Sequence, residues 1–192
     1  MPKRIEEHLE HAELCLRRGD RPGAVRHYQA ILALWEPSPE VSSECLEAVR
    51  ELVRPVRPVC DYQVGEYYRE IGQLDLALHH LRRSDDFAPQ RWQTYVALGR
   101  TYFARGDFRN ALGYFQETQR LVHSEPDGLT PEAELASAAA YEHIAEILLR
   151  NRPDGQTLIP FFEAARELYQ KAGDLEAAER CRLRLWRQPT ES

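Results

Sequence analysis

The sequence has no long apolar run. None of its 192 residues falls in a hydrophobic stretch that approaches the roughly 20 residues of a membrane-spanning helix. The first ten residues are charged and have no apolar core of the kind found in a secretory signal. We therefore expect no membrane association and a cytoplasmic location.

Closely spaced cysteine pairs are missing as well. The chain has four cysteines, and none of them forms a C-x-x-C pair: Cys15, Cys45, Cys60 and Cys181. The gaps between them are irregular, unlike a disulfide or zinc framework. The sequence predicts free thiols, mostly buried, in a reducing compartment.

Positive charge is in deficit. There are 25 Lys and Arg against 31 Asp and Glu, which gives a formal charge of −6. A strongly basic nucleic-acid-binding protein is therefore not expected. Ten glycines and 12 prolines are too few for a fibrous or low-complexity chain. The numerous carboxylates are scattered, and we expect them on solvated faces.

Strand-type alternation of Val, Ile and Thr is also absent, and apolar residues recur at helical spacing. The prolines fall between the helical segments or, as Pro22 and Pro160, in a first helical turn. Short links predict antiparallel neighbours. The sequence predicts an all-α fold of about ten helices, near 3–17, 21–35, 39–53, 59–71, 74–85, 91–104, 108–122, 131–150, 157–171 and 175–187.

Internal repetition is the strongest signal present. Four glycines are each followed, five residues later, by an alanine: Gly19 and Ala24, Gly72 and Ala77, Gly106 and Ala111, Gly173 and Ala178. A polar residue follows each glycine directly: Asp20, Gln73, Asp107 and Asp174. A glycine with positive φ and then a polar cap suit a tight turn between two helices. The small alanine lets the two helices approach closely.

The second and third of these glycines, Gly72 and Gly106, are 34 residues apart, and the sequences around them are closely similar. The third repeat carries an aromatic, Leu-Gly, Tyr, Gly-Asp, Ala, aromatic pattern: Tyr95, Leu98, Gly99, Tyr102, Gly106, Asp107, Ala111 and Phe115. This pattern resembles the tetratricopeptide repeat, a 34-residue helix–turn–helix unit.

The resemblance implies a TPR-like right-handed α-solenoid that forms a single domain over residues 1–192. Its repeats are expected near 5–38, 58–91, 92–125 and 159–192. Extra helices near 39–53 and 131–150 account for the spacings that depart from 34 residues.

In the resembled family, the first helix of each pair lines a concave face that binds an extended peptide or a partner helix. Carried over to this chain, the resemblance implies a partner-binding groove at Tyr62, Glu66, Arg69, Gln93, Arg100 and Phe103. Arg69 and Arg100 suit a carboxylate, and aromatic rings suit a stacked side chain. The alternative is that Glu66, Arg69 and Glu70 pair with each other along one helix.

One family subtype grips a C-terminal carboxylate with Lys and Asn at fixed groove positions. In this chain those positions hold Tyr62, Glu66, Val96 and Arg100. The Lys and Asn set is missing, so that specificity is not expected here.

The last predicted helix offers a possible second surface at Arg180, Arg184, Trp186 and Arg187. A tryptophan is a frequent interface anchor, which favours a weak homodimer or a second partner site. The three arginines would suit an acidic partner, RNA or anionic lipid. The alternative is that the arginines complement the helix dipole and that Trp186 folds back onto the preceding helix.

No catalytic motif is evident, such as a nucleophile elbow, a Walker loop or a metalloprotease helix. We therefore predict no enzyme activity and no cofactor. His8, His11 and Cys15 share one helical face and are zinc-competent types, but they occupy core positions of the repeat and lack a further ligand. We predict no metal site and leave the role of this face open.

The sequence therefore predicts a non-enzymatic protein–protein interaction module, an adaptor, scaffold or chaperone-like protein with another protein as its partner. The alternative is a peptide-responsive regulatory subunit that acts on transcription or signalling. A third class, dependent on metal or nucleic acid, has only the His8 face and the arginine stripe in its favour.

Overall fold

The computed structural model of the chain describes residues 2–36, 42–88, 91–124, 130–151 and 158–186. Within these ranges it forms ten α-helices and no strand: α1 Pro2–Arg17, α2 Arg21–Ala33, α3 Ser43–Val53, α4 Arg57–Glu70, α5 Leu74–Phe87, α6 Trp92–Arg105, α7 Phe108–His123, α8 Pro131–Asn151, α9 Ile159–Lys171 and α10 Leu175–Trp186. The prediction of an all-α chain is confirmed. The helix expected over 39–53 begins at Ser43, and residues 37–41 lie outside the described residues.

The chain separates into two compact units, Met1–Pro89 and Gln90–Ser192. The first contains α1 to α5 and the second contains α6 to α10. The prediction of a single domain with four repeats stays a prediction.

Glycine turns connect the helix pairs α1–α2, α4–α5, α6–α7 and α9–α10. Gly19, Gly72, Gly106 and Gly173 have φ values of 74°, 78°, 82° and 82°. This is the left-handed region, where a side chain would be strained, so glycine is favoured. The prediction of positive-φ turns from the four aligned glycines is confirmed.

Most of the polar residues after these glycines cap the next helix. The carboxylates of Asp20, Asp107 and Asp174 accept hydrogen bonds from the backbone N–H three residues later, at 2.9, 3.2 and 3.0 Å. These bonds satisfy N–H groups that have no partner inside the helix. Gln73 makes no such side-chain bond.

In the first unit α2 packs against both α1 and α4, and α4 packs against α5. The core of this unit includes Ala12, Ala24, Ile31 and Val64, all fully buried. The additional helix α3 contributes Val53, which is also fully buried, to the same core.

In the second unit each helix packs against the next in the chain, and α6 also contacts α8. Two ion pairs join α10 to α8, Arg180 with Glu142 and Arg184 with Glu146. The helices α6, α8 and α10 therefore form one layer of this unit, here called the α6–α8–α10 layer. None of the helices in the described ranges is both long and apolar enough to cross a membrane.

Candidate functional site

The six predicted groove residues are divided between the two units. Tyr62, Glu66 and Arg69 lie on α4 in the first unit, and Gln93, Arg100 and Phe103 lie on α6 in the second. Glu66 is buried, and the other five are half-buried.

On α4, Arg69 is already engaged by Glu66. Its Nε donates to Glu66 Oε1 at 2.7 Å, and its Nη2 donates to Glu66 Oε2 at 3.1 Å. This forked bond raises the pKa of Arg69. Glu70 pairs with Arg21 of α2 at 2.6 Å instead of with Arg69. The alternative of pairing along one helix thus holds for Arg69 and Glu66.

On α6, Phe103 belongs to a cluster of side chains, here called the Phe103 cluster, made up of Phe103, Phe108, His143 and Arg150. The ring centroid of Phe103 lies 5.5 Å from that of Phe108 and 4.9 Å from that of His143. The guanidinium carbon of Arg150 lies 5.4 Å from the Phe103 centroid and 5.1 Å from the Phe108 centroid. Arg150 of α8 therefore covers one face of Phe103, an aromatic residue that was predicted to line the groove.

Arg100 lies one helical turn before Phe103 on α6. It makes no hydrogen bond or ion pair with the described residues. It is half-buried, so its guanidinium still reaches water. Of the two arginines expected to receive a carboxylate, Arg100 is the one whose donors are unoccupied within the described ranges.

The predicted second surface lies partly outside the described residues. Arg187 is among the residues that are not described, and only the backbone of Trp186 is described, as the last residue of α10. Arg180 donates from Nε and Nη2 to Glu142 at 2.8 and 3.0 Å, and Arg184 donates from Nη2 to Glu146 at 3.3 Å. The arginine stripe is thus ion-paired with α8. A depression of about 410 Å³ beside it is lined by Glu176, Glu179, Arg180, Leu183 and Arg184.

A buried acidic network in the first unit was not expected from the sequence. Asp61 is fully buried, and its Oδ1 lies 2.8 Å from His80 Nδ1. Its Oδ2 accepts from Arg57 Nε at 3.4 Å. The Arg57 guanidinium carbon lies over the rings of both Trp35 and Phe87, 4.1 and 4.0 Å from their centroids. The sequence did hold a signal, because Asp61 stands 34 residues before Tyr95, at the position where the repeat has an aromatic.

Another buried carboxylate, Glu142, lies in the second unit. Glu142 is 7% exposed and accepts from Tyr169 Oη at 3.0 Å as well as from Arg180. Burial and the nearby Glu142 raise the pKa of Tyr169 well above its ordinary value. The expectation that the carboxylates occupy solvated faces is wrong for Asp61 and Glu142, because each is enclosed by cationic and hydrogen-bonding partners.

The histidines near the start of the chain pack against a third histidine. His8 Nδ1 lies 3.0 Å from His27 Nδ1, and the His11 ring stacks on His27 with centroids 5.3 Å apart. Burial, followed by the charges of His8 and His11, lowers the pKa of His27. Within the described ranges no group of three or more His, Cys, Asp or Glu side chains is arranged to hold a metal ion.

Comparison with known proteins places residues 94–128 in the tetratricopeptide repeat family model. A BBSome complex member BBS4 homolog of Drosophila melanogaster is 40% identical over 72 residues, which are 37% of this chain and 15% of that protein. Anaphase-promoting complex subunit 6 of Dictyostelium discoideum is 33% identical over 57 residues, 30% of this chain and 7% of that protein. The chain thus spans only a small part of the length of these relatives.

Two solved structures share the fold. A MamA RS-1 ArsTM double mutant superposes with a TM-score of 0.53 at 21% identity, over 88% of this chain and 96% of that one. A crystal structure of MamA protein gives a TM-score of 0.51 at 16% identity, over 98% and 93% of the two chains. The all-α, TPR-like fold class predicted from the sequence is confirmed. Residues 94–128 match the tetratricopeptide repeat family model, and the chain as a whole has the TPR-like fold of these structures.

Proposed function

We propose that this protein is a non-enzymatic interaction module that binds a peptide or helix of another protein in the groove of its repeats. The observation that carries the proposal is the surface around Phe103. There an aromatic ring and two arginines, Arg100 and Arg150, lie together, and neither arginine is ion-paired to a described carboxylate. Aromatic and arginine side chains are the residue types most enriched at the energetic centres of protein interfaces.

Within this class, an adaptor or scaffold is favoured over the chaperone-like role. Both curated relatives are named as components of multisubunit assemblies, a BBSome complex member and an anaphase-promoting complex subunit. Tetratricopeptide repeats in such proteins act generally as protein-interaction scaffolds. A cytoplasmic location and a weak homodimer through the C-terminal helix are further parts of the proposal.

The groove is tested with peptides selected from a random dodecapeptide library on the immobilised protein. Binding of the selected peptides is then measured by isothermal titration calorimetry against wild type, Phe103→Ala and Arg100→Ala. We expect each substitution to weaken binding by about tenfold, or ~1.4 kcal/mol. Arg109→Ala is the matched control, because Arg109 is an exposed arginine on α7, outside the α6–α8–α10 layer.

Arg69 is not a suitable test residue, although it was predicted in the groove. Removing the Arg69 side chain or reversing its charge would leave the buried Glu66 carboxylate without its hydrogen-bond donor and destabilise the unit. Partial unfolding would then be mistaken for a loss of binding. The melting temperature of Phe103→Ala must lie within a few degrees of that of wild type, so that weaker binding reflects the lost contact and not unfolding. The proposal fails if the library yields no binding peptide, or if the peptides bind Phe103→Ala and Arg100→Ala as tightly as wild type.

A further inference from the structure

The α6–α8–α10 layer carries an unusual distribution of charge. The helix α6 contains Arg100 and Arg105 and has no acidic residue. Arg150 lies exposed near the end of α8, above the Phe103 ring. Arg180 and Arg184 of α10 remain 49% and 43% exposed although each is ion-paired.

The carboxylates that approach this layer from α8 are already occupied. Glu142 accepts from Arg180 and from Tyr169. Glu146 lies 3.3 Å from both His143 Nδ1 and Arg184 Nη2. The bond with His143 lowers the pKa of Glu146, so this carboxylate stays ionised while it is held in these contacts. Neither acid forms an ion pair with Arg100 or Arg150, although the charge of Arg150 also contributes to the lowered pKa of Glu146.

Two of the remaining described carboxylates of the layer are engaged by other cations. Glu179 of α10 pairs with Arg182 at 2.5 and 2.7 Å, and Glu134 of α8 contacts Lys171 of α9. Glu176 lies on α10, beside the depression there, and Glu132 lies in the first turn of α8. The part of the layer around Phe103 thus contains two cations, Arg100 and Arg150, that form no ion pair with a described carboxylate.

Arg150 is held in a geometry that suits recognition. Its guanidinium carbon lies over two aromatic rings, 5.4 and 5.1 Å from their centroids, and the side chain is exposed, so its N–H groups can donate to a ligand. A planar guanidinium with free edge donors matches the two oxygens of a carboxylate. Arg100 lies one turn before Phe103, so the two cations lie near the same ring.

We infer that the α6–α8–α10 layer selects acidic segments of a partner protein, with Arg100 and Arg150 receiving carboxylates and Phe103 contacting an apolar side chain between them. The inference rests on the proposed function, since it names the chemistry of the partner that the groove binds. Pairs between exposed charges are individually weak and screened by salt. Binding is therefore expected to be strongly salt-dependent.

The test compares peptides selected from the random dodecapeptide library by wild type and by the double variant Arg100→Glu/Arg150→Glu. Wild type is expected to enrich peptides rich in Asp and Glu around an apolar residue, whereas the double variant is expected to lose that enrichment. Changing the acids of a selected peptide to the matching amides should weaken its binding to wild type by about tenfold, and raising the salt should also weaken it. Arg109→Glu, on α7, should enrich the same peptides as wild type.

The outcomes separate this inference from the proposed function. If the selected peptides lose affinity for Phe103→Ala and yet contain no excess of Asp and Glu, that result supports the proposed function and overturns the inference. The inference would also be overturned if Arg109→Glu lost the acidic enrichment as fully as the double variant does. It would be overturned too if the amide peptides bound wild type as tightly as the acidic peptides. If a single-stranded oligonucleotide bound through the same two arginines more tightly than the selected peptides do, the inference would be overturned in favour of a nucleic-acid site. A library that yields no binder refutes the proposed function and the inference with it.

Discussion

Gly99 of α6 and Phe115 of α7 meet so closely that no larger residue than glycine fits opposite the ring. A methyl group on Gly99 would lie 2.6 Å from Phe115 Cε1. The same relation recurs in the first unit, where a methyl group on Gly65 would lie 2.7 Å from Leu81 Cγ. The ring of Phe115 is fully buried and has no space into which it can withdraw. These two repeats thus pair a glycine with a large residue across the helix crossing.

Gly99→Ala should therefore destabilise the protein although alanine is the better helix former. We expect a loss of about 1–3 kcal/mol in the free energy of unfolding, because the added methyl overpacks the crossing. Urea denaturation followed by circular dichroism measures this loss.

Gly113→Ala provides the matched control on α7. A methyl group there would meet no atom within 4 Å. Because glycine weakens a helix interior, this substitution should raise stability by about 0.5–1 kcal/mol. A Gly99→Ala protein as stable as the Gly113→Ala protein would show that the close crossing does not exist.

Asp61→Asn should be among the most destabilising single changes in the first unit. The carboxylate is fully buried, and its loss leaves the buried Arg57 guanidinium without its counter-charge. Breaking a buried charge pair in this way costs about 3–5 kcal/mol. The exposed Asp86 on α5 is the control, and Asp86→Asn should change the unfolding free energy by less than about 0.5 kcal/mol. Similar unfolding midpoints for the two variants would contradict the buried network.

In the second unit, Arg180→Gln should cost more stability than Glu142→Gln. The first change leaves a 7% exposed carboxylate without its cation, whereas the second leaves a half-exposed arginine that water can solvate. We expect about 1–3 kcal/mol for Arg180→Gln and less than ~1 kcal/mol for Glu142→Gln. Chemical denaturation of the two variants side by side checks the order. The reverse order would mean that Glu142 is not enclosed.

The cysteines should differ sharply in reactivity. Burial raises the pKa of Cys60 and Cys181 to about 12, while Cys45 is exposed. Iodoacetamide at neutral pH should therefore modify Cys45 first and reach Cys60 and Cys181 only after unfolding, as intact and peptide mass spectrometry would show. Equal labelling of Cys45 and Cys60 in the native protein would contradict this expectation.

The same two thiols give stability a pH dependence in the alkaline range. In the unfolded chain a thiol ionises near its ordinary pKa of about 8.5, whereas the folded protein keeps it protonated until about pH 12. Stability is therefore fully present below about pH 8.5 and falls as the pH rises above it. Cys60→Ala/Cys181→Ala, although less stable at neutral pH, should lose less stability between neutral pH and pH 10 than wild type does.

The helices and turns were predictable because they depend on local spacing. Apolar periodicity defines α6 and α7, and the aligned glycines mark the turns that Gly72 and Gly106 make at positive φ. The side-chain environment of Phe103 was not predictable, because His143 and Arg150, which contact its ring, come from α8, and α8 lies outside the repeat pattern. The ion pair of Arg180 was not predictable either, because its partner Glu142 is 38 residues away, beyond any local spacing.

The most direct test of the account is nuclear magnetic resonance titration of the ¹⁵N-labelled protein with a peptide selected from the library. If the protein binds its partner through the α6–α8–α10 layer, the largest shift changes will fall on the backbone amides of Arg100, Phe103 and Arg150. The amides of Glu117 and Arg120, which form an ion pair farther along α7, will stay near their free positions. Shift changes confined to α7 and α9, with Arg100 and Phe103 unmoved at saturation, would contradict the account.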